Sequence, residues 1–173
     1  MGKDLADSYQ EARNVFAEVD DALGQKLSEL MFEGPEEDLR LTENAQPALM
    51  AVSVAVVRVL ESRGIALDDH AAFVAGHSLG EYSALCAAGS FSLSDAAKLL
   101  RTRGKAMQKA VPVGQGTMAA ILGVDFETLR DIAGAAALDE VCDIANDNAP
   151  GQVVISGTKA AVVAEHRREQ CEE

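Results

Sequence analysis

The stretch FVAGHSLGEYSALCAAG, residues 73–89, sets a serine between two glycines where a short apolar run meets a helical pattern. A serine hydroxyl is inert at neutral pH unless a base takes its proton. Gly76-His77-Ser78-Leu79-Gly80 has the G-x-S-x-G form, in which a sharp strand-to-helix turn presents the hydroxyl outward. In that setting Ser78 attacks a carbonyl carbon. The N–H of Leu79, at the start of the helix, stabilises the oxyanion that forms. The plainer alternative is a Gly/Ser turn whose serine only caps the helix. None of the three histidines is well placed as the base. His77 adjoins the serine, but neighbouring side chains diverge at such a turn, so it suits packing or pocket lining. His70 falls in a polar loop and His166 in a charged terminal segment.

A second group that can do chemistry is Arg103. At about 100° per residue, Ala96, Leu100, Met107 and Ala110 form an apolar stripe with Arg103 in its middle. Lys98, Arg101, Lys105 and Lys109 gather opposite. A buried guanidinium must be paired. Two partners are equally open on periodicity alone: an internal carboxylate such as Glu81, or the carboxylate of a substrate gripped bidentately.

The elements that must position these groups are mostly helices. Residues 3–23 read as one amphipathic helix with Leu5, Tyr9, Ala12, Phe16 and Val19 on a face, and 25–34 as a second ending at Gly34 before Pro35. Residues 44–64 read as a helix with Pro47 in its first turn and most sides buried. "AAFVAG", 71–76, reads as a strand covered on both faces. A helix follows Ser78, then another over 92–112 with Ser92 and Asp95 as its capping pair and Pro112 as its stop. Near Val113 the texture changes to strand, helix, strand, strand, helix. The strands are GTMAAILGV, EVCDIAN and QVVISG, the middle helix is capped by Asp125, and a turn falls at NAPG. That order is a split βαβ, ferredoxin-like module without its last strand. The expected organisation is therefore two pieces, 1–112 and 113–173.

Composition narrows the function classes. The 173 residues carry a net charge of −13 and are 48% hydrophobic. A polyanionic nucleic acid needs a basic footprint, so that partner is not expected. The apolar run 47–60 is short of a bilayer span and is interrupted by Ser53 and Arg58, so no membrane partner is expected either. No charged-then-apolar leader follows Met1, and Cys86, Cys142 and Cys171 lack ligand spacing. These features predict a reduced, cytoplasmic protein with no zinc and no disulfide framework.

Four separated motifs carry a family resemblance: AQPAL at 45–49, GHSLGEYSAL at 76–85, RGKAMQ at 103–108 and NDNAPGQVVISG at 146–157. With them the chain, from Met1 to about Ala161, resembles the malonyl-CoA:acyl carrier protein transacylases of the acyltransferase family of fatty-acid and polyketide synthesis. The resemblance implies an α/β fold, an incomplete α/β-hydrolase-like core carrying a partial ferredoxin-like subdomain. It implies that Ser78 takes a malonyl group from coenzyme A as an ester and passes it to the phosphopantetheine thiol of acyl carrier protein. Leu79 would supply half of the oxyanion hole, and Arg103 would hold the free malonyl carboxylate. Gln46, His77, Met107, Asn148 and Gln152 would line the acyl and pantetheine cleft. No metal and no cofactor beyond the coenzyme A thioester is implied. Family members open with a GQGSQ-type loop and carry their catalytic histidine downstream of the subdomain, and neither motif occurs here. The expectation is a shortened chain of weak turnover, with an atypical tail at AEHRREQCEE. Two competing readings are a serine esterase indifferent to Arg103, and a non-catalytic piece that binds acyl carrier protein through Lys98, Arg101, Lys105 and Lys109.

Overall fold

The computed structural model describes residues 1–112, 114–137 and 140–163. His166, Cys171 and the tail from Ala164 lie outside the described residues. The chain is a mixture of helices and one small antiparallel sheet, divided into two compact units, Met1–Ala110 and Val111–Glu173.

The first unit is helical: α1 (Lys3–Ser8), α2 (Gln10–Leu23), α3 (Leu27–Glu33), α4 (Glu36–Arg40), α5 (Thr42–Ser62), α6 (Leu67–His70), α7 (Gly80–Ala87) and α8 (Leu93–Ala110). Its core forms where α2, α5 and α8 pack together, with Val19, Met50, Val54 and Leu100 fully enclosed. The single helix expected over 3–23 is broken at Tyr9, whose backbone is extended. The guanidinium of Arg13 takes the freed carbonyl oxygens of Ala6 and Asp7, which is what makes the break tolerable. Helix α5 starts five residues before Pro47, because the N–H groups of Asn44 and Ala45 both find the Leu41 carbonyl. The proline therefore lies inside the helix. At 21 residues α5 is long and apolar enough to cross a bilayer by length and composition alone. Its inward side packs on α2 and α8, while Leu49, Ser53, Val56 and Leu60 stay exposed along the other. The expectation of burial on most sides is thus half right.

The strand expected at 71–76 does not form, and every one of those residues is exposed, Phe73 to 93%. Its apolar composition fits a buried strand, but a strand needs a hydrogen-bonded neighbour. Among the described residues none runs beside it.

The second unit holds β1 (Gly116–Leu122), α9 (Phe126–Ala137), β2 (Cys142–Ala149) and β3 (Gln152–Thr158), with residues 159–163 helical. β3 lies between β1 and β2 and is antiparallel to both, pairing Ala119 with Ile155 and Ile144 with Ile155. Alternation sends Ile121, Val153 and Ile155 to one face, where they meet Leu129 and Ala133 of α9. Asp125 caps α9, accepting from the Thr128 N–H at 2.9 Å and from its hydroxyl at 2.7 Å. β2 runs three residues past the expected end at Asn146, so the turn shrinks to Pro150 and Gly151.

Candidate active site

Ser78 stands on the turn that leads into α7, and it is the non-glycine residue with positive φ among the described residues, at 54°. Left-handed backbone is costly for any side chain with a Cβ, so the turn must be held by its surroundings. Gly76 explains how. A Cβ there would fall 1.9 Å from the backbone carbonyl of Gly80, so the chain closes on itself only because residue 76 has none. The turn is then pinned by the Gly80 N–H donating to the His77 carbonyl at 2.8 Å and the Glu81 N–H to the Ser78 carbonyl at 3.3 Å. Gly80 differs: a Cβ there would meet nothing within 4 Å. Among the described residues none accepts from the Leu79 N–H, which sits at the N-terminal end of α7.

The hydroxyl of Ser78 is exposed and accepts a hydrogen bond from the Arg103 guanidinium, Nη2 to Oγ, at 3.1 Å. The other terminal nitrogen, Nη1, donates to Gln46 Oε1 at 2.5 Å. Among the described residues no carboxylate pairs with Arg103, so the ion pair with Glu81 that periodicity left open is not made. Arg103 is also less buried than the stripe implied. The face of α8 that enters the core is Leu93, Ala96, Ala97, Leu100 and Gly104, and this rotation leaves Arg103 half-exposed and Met107 and Ala110 exposed.

Gln46 is 3% exposed, so it meets Arg103 and not open solvent. Its Nε2 donates to Thr42 Oγ1 at 2.8 Å and to Met107 Sδ at 3.3 Å. The feature that lets α5 and α8 come this close is Gly104. A Cβ at that position would lie 2.5 Å from Glu43 Cα and 2.7 Å from the Thr42 carbonyl oxygen. Sequence reasoning passed over this glycine, although a glycine inside a helical pattern is a recognised sign of close packing.

Arg101 does not belong to the solvated basic face. It donates to Asn44 Oδ1 at 2.6 Å and to Gln25 Oε1 at 2.5 Å, tying α8 to α5 and to the link between α2 and α3. Burial pulls its pKa below the usual arginine value. Lys98, Lys105 and Lys109 are exposed as expected.

His77 is exposed, and the Ser78 hydroxyl accepts from Arg103. Asn148 and Gln152 are exposed residues of the second unit, near the end of the β2–β3 hairpin where Ala149 pairs with Gln152. Cys86 on α7 is buried, and burial pushes its thiol pKa up, which leaves Ser78 as the accessible nucleophile of the turn. No group of acidic, histidine or cysteine side chains that could hold a metal occurs among the described residues.

Comparison with known proteins places the whole sequence beside its relatives. The family model described as "Acyl transferase domain" matches residues 1–172. The malonyl CoA-acyl carrier protein transacylase of Bacillus subtilis (strain 168) is 49% identical over 163 residues, 94% of this chain and 50% of the relative. The crystal structure of acyl-carrier-protein-S-malonyltransferase from Bartonella henselae superposes with a TM-score of 0.92 at 56% identity, covering 99% of this chain and 55% of that one. A malonyl-transacylase solved in complex with a type II PKS acyl-carrier protein matches at 43% identity and a TM-score of 0.85, over 95% of this chain and 52% of that one. The chain thus spans about half the length of the curated relatives it matches. With the family model matching nearly the whole sequence, the chain belongs to the acyl transferase domain family.

Proposed function

We propose that this chain carries the serine and the carboxylate-binding arginine of a malonyl-transfer site. Malonyl-CoA is the donor, and acyl carrier protein is the acceptor. The single observation that supports this most is the Arg103 guanidinium, 3.1 Å from the Ser78 hydroxyl and paired with no carboxylate among the described residues. One methylene separates the thioester carbonyl of a malonyl group from its free carboxylate. A nucleophile and a cation meant for the two ends must therefore stand side by side. An acyl group without a charge at that distance leaves the guanidinium unpaired.

In the reaction, the Ser78 Oγ attacks the thioester carbonyl and forms a tetrahedral oxyanion, which the Leu79 N–H stabilises at the helix terminus. Collapse expels the coenzyme A thiolate and leaves a malonyl ester on Ser78. The phosphopantetheine thiol then attacks this ester by the same route and regenerates the hydroxyl. As the carboxylate arrives, Arg103 gives up its bond to Ser78 while Gln46 keeps hold of Nη1. The proton of Ser78 requires a base, and the guanidinium that hydrogen-bonds its hydroxyl cannot take it.

On the same reading, the helical unit is part of an α/β-hydrolase-like core and the sheet unit part of a ferredoxin-like subdomain. The order β1-β3-β2, with β3 antiparallel to both neighbours, supports the latter. Cytoplasmic location, and the absence of any cofactor beyond the coenzyme A thioester, are part of this proposal. So are roles for Asn148 and Gln152 beside the pantetheine arm.

Intact-mass analysis after incubation with malonyl-CoA or acetyl-CoA tests the reading. The expected result is a malonyl adduct that maps to Ser78, is lost in Ser78→Ala, and forms faster than the acetyl adduct only while Arg103 is present. Equal labelling by both donors, or an Arg103→Ala variant that keeps its malonyl preference, sinks the assignment. The exposure of Lys98, Lys105 and Lys109 along one helix favours a second reading, in which the chain binds acyl carrier protein without catalysis. Charge reversal at Lys98, Lys105 and Lys109 would then abolish carrier binding while Ser78→Ala leaves it intact.

A further inference from the structure

We infer that Met107 is a positioning residue: its thioether sulfur fixes the orientation of the Gln46 amide, and through it the Arg103 guanidinium. The inference rests on the reading of Arg103 as a carboxylate grip and extends it to the residue that aims that grip.

A glutamine amide has two chemically different ends of nearly the same shape, and which end faces which neighbour is set by the neighbours' chemistry. Gln46 is buried, so solvent does not decide it. Arg103 can only donate, and it stands 2.5 Å from one end of the amide. A thioether sulfur can only accept, and Met107 Sδ stands 3.3 Å from the other end. Arg103 and Met107 are four residues apart on α8, so they share a face of that helix. Together they hold the two ends of one amide with opposite and unambiguous polarity. Thr42 Oγ1, at 2.8 Å from Nε2, does not discriminate in the same way, because a hydroxyl serves as donor or acceptor.

If the amide flips, its NH2 group turns toward the guanidinium and the bond to Nη1 is lost. Arg103 is half-exposed and has many rotamers, so without that bond it is no longer held beside Ser78. Met107 is itself 46% exposed, which is much for a methionine that serves only to fill a core. Its sulfur, and not its bulk, is what Gln46 uses.

The test compares Met107→Leu, which keeps the size and removes the acceptor, with Met107→Gln, which restores an acceptor at similar reach. The readouts are the 15N side-chain resonances of Gln46, assigned by their loss in Gln46→Glu, the Arg103 Nε–H resonance, and the affinity for malonate. Met107→Leu is expected to shift the Gln46 amide pair and the Arg103 signal and to weaken malonate binding about fivefold, the scale of one hydrogen bond. Met107→Gln is expected to return both toward the unsubstituted chain. The inference is overturned if Met107→Leu leaves the Gln46 resonances in place, or if the Leu and Gln variants lose malonate affinity alike, as a pure packing role predicts. Should malonate fail to bind even the unsubstituted chain, the carboxylate reading of Arg103 falls, and the Gln46 resonances still decide the role of Met107.

Discussion

At the residue scale, the site is a negotiation between one strained backbone and one cation that, among the described residues, meets only neutral partners. Ser78 keeps a φ of 54° that a serine does not adopt by preference, and the cost lies in the range of about 1–2 kcal/mol. Replacing it by glycine relieves that cost, while glycine's greater freedom in the unfolded chain takes back about 0.4–1 kcal/mol. The net expectation for Ser78→Gly is a gain of about 0.5–1 kcal/mol in urea unfolding, together with complete loss of the malonyl adduct. A variant less stable than the parent would mean that the turn stores no strain. The G-x-S-x-G spacing was readable without coordinates because each of its letters answers a local need. The neutral partner of Arg103 was not readable, because Gln46 is 57 positions away in sequence.

At the scale of elements, two glycines in two helices make opposite forecasts for the same substitution. On an unobstructed helix, Gly→Ala stabilises by up to about 1 kcal/mol, since alanine is the better helix former. Gly134 of α9 is exposed, and a Cβ there would meet nothing within 4 Å, so Gly134→Ala should raise stability by about 0.5–1 kcal/mol. At Gly104 the added methyl would sit 2.5 Å from the backbone of Glu43. Overpacking costs about 1–3 kcal/mol and outweighs the propensity gain. Gly104→Ala should therefore destabilise the chain in chemical denaturation and also part Gln46 from Arg103. If both variants shift the same way, the close approach of α5 and α8 is not what residue 104 provides.

The cap of α9 adds a dependence on pH. The bonds from Thr128 hold the Asp125 carboxyl below its ordinary value. A folded-state pKa lower than the unfolded one stabilises the cap above the unfolded value, near 3.9. That contribution fades as pH falls through the lower, folded value. An acid titration of the Thr128 amide resonance should thus show a midpoint below that of a free aspartate, and Asp125→Ala should remove the transition. A midpoint at or above the free value contradicts the cap.

At the scale of the whole molecule, charge and exposed apolar surface oppose each other. A net charge of −13 keeps molecules apart at neutral pH, although Phe73 and Val74 lie open beside the site turn. Acidification toward the isoelectric point near 4.6 removes that repulsion. Light scattering should therefore show association rising over this approach, and Phe73→Ser should move its onset to lower pH. Association that is indifferent to Phe73 would place the sticky surface elsewhere.

The sequence by itself determined the segments whose signals are local. These include the Gly34 stop, the Ser92–Asp95 cap, where the Asp95 N–H donates to Ser92 Oγ at 3.0 Å, the Asp125 cap and the presence of three strands in the second unit. It also determined the family, through motifs that each occupy one short stretch. Only the tertiary structure decided which face of α8 turns inward, that Arg101 is tied down, and that among the described residues Arg103 meets no carboxylate and 71–76 have no strand beside them. The physical reason is the same in each case. Caps, stops and alternation depend on neighbours within a few positions, whereas burial, pairing and hydrogen-bond completion depend on groups that meet only when the chain has folded.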